Sequence, residues 1–325
     1  MINESAILIA IEQLMQKVSS TLDQELKTKR HYAQKLRAYT RQCCDLIPVF
    51  KQLRLHEIQL MFPLDRFQGV VDVVDRICLQ NNLSYNELPY TDHYRLICIA
   101  MHIFPSLWKR EQASFREQEM QNRLGLAAYI ADIFSKHSYT LWVRVELKYL
   151  TESLDILSIV DVAAHLAKLR KRISDKDTCF NGLVGFAWAL EQGGGTGAYH
   201  CHLLLIYNGS KYQWDHDLAE KVGLLWVEIT QGYGCYRNLN SYEHRKKHID
   251  NGTDGLGMIK REKNPDKVKN AKILALYLAV PEKFDQRLRA KVYGMKTFGH
   301  GQFKLSPYLL RQAAREADEN IQLPF

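Results

Sequence analysis

The residues best suited to chemistry in this chain are Tyr199-His200-Cys201-His202-Leu203. On a β-strand, positions two apart project to the same face, so the imidazoles of His200 and His202 point the same way. Two imidazoles on one face are workable ligands for a divalent cation. The spacing alone arises readily by chance. Its setting adds to it: the pair opens an apolar run, Leu203-Leu-Leu-Ile-Tyr207, directly after the glycine-rich stretch Gly193-Gly-Gly-Thr-Gly197. Glu191 closes the apolar run before that stretch. A carboxylate and two histidines meeting at one end of a hairpin would form a mixed nitrogen–oxygen site with positions left open for water or substrate. The alternative reading is a solvated hairpin end with two unengaged histidines.

The elements that must position these residues follow from periodicity. Tyr139–Leu147 is rich in β-branched and aromatic residues and reads as a strand. Leu157–Ile173 reads as a helix, Gly185–Glu191 and His200–Tyr207 as two strands joined by a glycine-rich hairpin connection, and Leu218–Ile229 as a helix. Gly232–Asn238 and Gly257–Arg261 read as short strands around a polar loop, and Lys267–Val280 as a helix stopped by Pro281. This order predicts an α+β fold: an antiparallel sheet of RRM-like plan flanked by helices. The hairpin strands, apolar on both faces below their polar tip, should be central and covered on both sides. Residues 1–135 read as helical and carry no catalytic constellation. The expected organisation is a helical accessory domain over 1–135 and a site-bearing domain over 136–325.

The chain of 325 residues has 46% hydrophobic and 25% charged residues, the composition of a globular protein rather than a disordered or collagen-like one. No apolar run is long enough to span a membrane, and no basic segment followed by an apolar one marks an export signal near Met1. With seven scattered cysteines and no Cys-x-x-Cys pair, the expected setting is a reducing cytoplasm. Net charge is +8, of which the first 135 residues hold only +1. A basic surplus confined to the second part suits an anionic partner, nucleic acid being the commonest.

His200-Cys201-His202 resembles the His-hydrophobic-His signature of the HUH endonucleases, a superfamily of rolling-circle replication initiators, relaxases and single-strand transposases. Gly185-Phe-Ala-Trp-Ala-Leu-Glu191, the glycine-rich turn and Tyr199-His-Cys-His-Leu-Leu-Leu205 are similar to the metal-binding hairpin of the inovirus-type replication initiators, the YagK/YfjJ C-terminal-domain group. Lys296-Thr-Phe-Gly-His-Gly-Gln302 is similar to a later segment of that group. The resemblance covers roughly residues 139–305. It implies that His200, His202 and Glu191 hold Mg²⁺ or Mn²⁺, and that a tyrosine on a downstream helix attacks a DNA phosphate, forming a 5′-phosphotyrosine and freeing a 3′-OH. Tyr277 stands in the right order for that nucleophile, with Tyr293 in reserve and Tyr233 and Tyr236 behind it. The group often carries a lysine three residues after the tyrosine. Here Val280 occupies that place, leaving Lys283 or Lys272 to supply the charge. Single-stranded or locally melted DNA is the implied partner, with a second copy of the chain or a helicase as further partners.

Other basic residues suit a DNA backbone: Arg245, Lys246 and Lys247 between His244 and His248, then Lys260, Arg261 and Lys272, and later Lys296. The alternative is a plain charged surface. Two functions of different class remain: a nicking–joining endonuclease that initiates replication of a phage, plasmid or mobile element, and a non-catalytic nucleic-acid-binding protein, a repressor or degenerate initiator, on the same fold. A third is a metal-dependent phosphodiesterase that uses water in place of tyrosine.

Overall fold

The computed structural model describes residues 3–28, 31–193, 197–280 and 282–302. The centre of the glycine-rich connection, 194–196, and Pro281 lie outside the described residues. Five helices and a short strand come first: α1 (Glu4–Thr28), α2 (Ala33–Phe50), β1 (Ile58–Leu60), α3 (Phe67–Asn81), α4 (Tyr94–Met101) and α5 (Pro105–Lys136). Then follow β2 (Tyr139–Tyr149), α6 (Ile159–Asp175), β3 (Leu183–Gln192), β4 (Tyr199–Asn208), α7 (Asp215–Ile229), β5 (Gly234–Asn238), α8 (Tyr242–Asp250), β6 (Gly257–Lys260), α9 (Pro265–Leu276), β7 (Ala290–Val292) and β8 (Phe298–His300).

The architecture is α+β with an antiparallel sheet. Its strands lie in the order β5-β2-β4-β3-β8, with β6 also pairing β2. Strand β4 is therefore central, flanked by β2 and β3, as its two apolar faces require. The segment read as a polar loop between β5 and β6 is helix α8. Ser241 caps it by accepting from the His244 amide, which satisfies a donor that a loop would leave to water. Helix α6 starts at a capping box, with Ser158 and Asp161 bonding each other's amides.

Alternation along the strands gives the sheet two faces. One carries Val143, Val145, Leu147, Trp188, Leu190, Cys201, Leu203 and Leu205, and shares a single apolar cluster with α6, α7 and the first four helices. The other carries Trp142, Ala187, Ala189, Leu204 and Ile206, packed under α5 and α9. Trp142 and Trp188 are both core residues, as their surroundings in sequence suggest.

The first 135 residues do not form a purely helical unit. Strand β1 pairs with β7, and α5 lies on the sheet itself, against β3, β8 and α9. A buried ion cluster reinforces this junction. Glu12 of α1 pairs with Arg287 and, at 2.9 Å, with Arg289, whose amide donates to Gln192 at the end of β3. Gly197, at φ +72°, lies where a Cβ would come within 2.9 Å of Ser5 and Ile9, so the chain entering β4 rests directly on α1. All seven cysteines are free thiols. Among the described residues no helix is long and apolar enough to cross a membrane.

Candidate metal centre and its tyrosine

The face of the sheet under α5 and α9 changes character along its length. Leu204, Ile206, Ala187 and Trp142 make it apolar at one end. Further along each strand it becomes polar, at Arg144 and Glu146 on β2, His202 and His200 on β4 and Glu191 on β3. The β3–β4 register sets Glu191 opposite His200 and Ala189 opposite His202. The β2–β4 register sets Glu146 opposite His202. Both histidines project to this face, as the strand period predicts.

One ligand atom from each of Glu146, His200 and His202 lies within 4.8 Å of the others, a triad able to hold a metal ion. Glu191 stands on the opposite side of the same pair. Its Oε2 is 3.3 Å from His200 Nε2 and 3.4 Å from His202 Nε2. Both contacts are long, and Oε2 is buried with no hydrogen-bond partner among the described residues. A buried carboxylate oxygen left so, with two imidazole nitrogens converging on it, is the donor chemistry a divalent cation satisfies. His200 Nδ1 lies 3.4 Å from the Ala198 carbonyl; donating to it leaves the Nε2 lone pair for a ligand role. His202 Nδ1 is buried and has no such carbonyl among the described residues.

The electrostatics agree. Burial alone would push the Glu191 carboxyl up, but the two imidazoles and the Lys283 ammonium outweigh it and hold the group well below the usual carboxylate range. Burial likewise raises Glu146, and Lys148, His202 and Arg237 outweigh it and bring the carboxyl below its ordinary value. Burial holds His202 below its ordinary value despite the neighbouring Glu191, which favours the neutral ring that a ligand role needs.

Tyr277 comes to this polar patch from above. Helix α9 ends at Leu276, and Tyr277 is its C-cap residue rather than an interior position, because the α-helix stops four residues short of the expected Val280. Buried Arg123 of α5 fixes the last turn by donating to the Leu276 carbonyl at 3.1 Å. The Tyr277 ring centre is 6.5 Å from that of His202. Lys283 Nζ stands 4.0 Å from the Tyr277 ring centre and donates to Glu191 Oε1 at 2.7 Å. The Arg144 guanidinium lies over the same ring at 5.4 Å. Val280 is buried. The charge expected at that position comes instead from Lys283, which the turn after α9 folds back.

Other expected residues fall elsewhere. Tyr293 is largely exposed, in the segment between β7 and β8. The Tyr236 phenol donates to Glu220. Arg245 is held within the protein. Its guanidinium pairs with Asp215 at 3.0 Å and Asp254 at 2.7 Å and donates to the Leu256 carbonyl, tying α8 to the segment before β6. Arg261 is likewise engaged, donating to the Phe134 and Ser135 carbonyls at the end of α5. Lys246, Lys247, Lys260 and Lys296 are exposed, and Lys272 is partly buried. Glu146 and Arg144 were not singled out from sequence. Their alternation with Val143, Val145 and Leu147 was the available signal, since two charges on one face of a buried strand need a reason to be there.

Compared with known proteins, the chain matches no family model, no curated protein and no solved structure.

Proposed function

We propose that this protein is a metal-dependent DNA nicking–joining enzyme of the HUH type that uses Tyr277 as its nucleophile. The observation that carries the reading is the convergence of five side chains, Tyr277, Lys283, Glu191, His200 and His202, on one polar patch. The Tyr277 ring neighbours His202, and Lys283 bridges from that ring to Glu191, whose free oxygen faces both histidines.

In this reading His200, His202 and Glu191, with Glu146 alongside, hold Mg²⁺ or Mn²⁺, which when bound polarises the scissile phosphate. The Tyr277 oxygen attacks phosphorus, the P–O3′ bond breaks, and the products are a 5′-phosphotyrosine and a 3′-OH that has gained a proton. Lys283 and Arg144 place positive charge where the attacking oxygen and the phosphate bring negative charge together. The reverse attack by a 3′-OH rejoins the strand. Such chemistry serves the start of rolling-circle replication of a phage, plasmid or mobile element.

The test is a denaturing gel of the protein with labelled single strands from its own genetic element in Mn²⁺, run beside Tyr277→Phe. A covalent band in the wild type, absent in the variant, is expected. Cleavage that survives Tyr277→Phe would instead assign water or Tyr293 as nucleophile. One observation favours a second reading, a non-catalytic DNA-binding protein: both carboxylates already have cationic partners, Lys283 for Glu191 and Lys148 for Glu146. A gel shift with neither band nor cleavage would select it.

A further inference from the structure

Beside the Tyr277 ring lies a pocket of about 450 Å³ between β2, α8 and α9. That size lies within the range that small-molecule sites occupy. Leu239, Leu256, Ile273 and Leu274 give it apolar walls, and Arg144 and Tyr277 line it where it meets the metal centre. His244, Lys247 and His248 of α8 also line it.

Arg144 is the unusual member. Its Nε is buried with no hydrogen-bond partner among the described residues. Among the described residues its guanidinium has no carboxylate within ion-pair distance, and it sits over the Tyr277 ring. A half-buried guanidinium whose Nε is shut off from water and has no anion beside it is costly and calls for one. The anions nearby are already matched: Glu191 by Lys283 at 2.7 Å, and Glu146 by Lys148 at 3.0 Å and Arg237 at 3.7 Å. Arg144 is thus a cation of the patch with no carboxylate of its own among the described residues. A planar guanidinium suits the two non-bridging oxygens of a phosphodiester.

We infer that Arg144 binds a phosphodiester of the single strand and that the pocket beyond it seats the nucleoside attached to that phosphate. The inference rests on the DNA-nicking reading for the polymer, but not on metal or on cleavage. The apolar walls accept a base face of any sequence, and Lys247 lies along the path of the continuing backbone.

The experiment is anisotropy of a fluorescein-labelled single strand of about a dozen nucleotides, in EDTA, across a salt series. Arg144→Met should weaken binding about tenfold or more and reduce the salt slope by about 0.7, the change expected when one phosphate of a single strand goes unneutralised. Arg144→Lys should restore the slope but only part of the affinity, since the bidentate geometry is gone. Leu274→Trp, which fills the pocket from the α9 side, should weaken binding with the slope unchanged. Wild-type binding by Arg144→Met and Leu274→Trp, both shown folded by circular dichroism, would overturn the subsite. A mononucleotide that raises the melting temperature while the strand does not bind would overturn the polymer as its ligand. The two readings separate cleanly. If the wild type never cuts but Arg144→Met still loses the strand, the nuclease reading fails and the subsite stands. If the wild type cuts and Arg144→Met binds and cuts equally well, the subsite fails and the nuclease reading stands.

Discussion

Lys283 and Glu191, 92 positions apart in sequence, are joined by a 2.7 Å hydrogen bond in which both side chains are about nine-tenths buried. The pair fixes the turn after α9 onto the end of β3, and with it the place of Tyr277. Lys283→Met leaves the Glu191 carboxylate buried without its cation, at a cost of about 3 kcal/mol. A melting curve in EDTA should show that loss. Added Mn²⁺ should recover more stability in the variant than in the wild type, because the uncompensated carboxylate binds the ion more tightly. A variant that melts like the wild type with and without Mn²⁺ would mean that Glu191 does not face the metal.

The two carboxylates of the patch are not equivalent. Glu191 Oε2 has no hydrogen-bond partner among the described residues, whereas Glu146 answers Lys148 and Arg237. Isothermal titration with Mn²⁺ should therefore rank the variants. His200→Ala, His202→Ala and Glu191→Gln should each weaken binding about tenfold or more, on the scale of a missing ligand, and Glu146→Gln by clearly less. Single-strand binding in EDTA should survive in all four. Equal losses at Glu146 and Glu191 would make both direct ligands.

Much of this arrangement was legible in the sequence, and the limits are physical. The strand period alone puts His200 and His202 on one face, and the hairpin brings Glu191 to the same end, so three members of the patch are local in sequence. Glu146 and Arg144 were visible as strand residues, but only the β2–β4 register brings Glu146 beside His202, and register depends on pairing that one strand does not encode. Lys283 is the opposite case. It lies six positions after Tyr277, off the helical face of that residue, and reaches the patch only because the helix ends at Leu276 and the following turn folds back. The boundary at residue 135 is blurred for a similar reason. Periodicity shows that α5 is a helix but not that its apolar side lies on the sheet.

Basic residues close together in sequence have separate jobs here. Arg245 is spent on Asp215 and Asp254, so Arg245→Met should lower stability by about 3 kcal/mol in a denaturant melt. Lys246 and Lys247 are exposed on the same helix, so replacing both with Ala should leave the melt unchanged. The salt slope of single-strand binding should then fall by about 0.7 for each phosphate that the pair no longer neutralises. An unchanged salt slope in that double variant would take α8 out of the DNA path.

Glu119 of α5 makes stability depend on pH in an unusual direction. It lines a cavity of about 250 Å³ with Glu111, Glu191, Lys283 and Lys291, on the Glu191 side of the patch. Burial pushes its carboxyl up to about 7, with the Glu191 charge adding to the rise and Asn122, Lys283 and Lys291 opposing it. The unfolded chain releases this proton near 4.5, its ordinary value. Between those two values the folded state binds more protons than the unfolded one, so stability falls as pH rises through the window and the loss is complete above about 7. Allowing for partial solvent access, the loss amounts to about 1–2 kcal/mol. Glu119→Gln keeps the volume and the oxygen that accepts from Asn122 but cannot ionise. Urea melts at about pH 5 and pH 8 should therefore show the variant equal to the wild type at the lower pH and more stable at the higher. A variant no more stable than the wild type at pH 8 would show that the carboxylate is already compensated in the cavity, with Lys291 as the partner to test next.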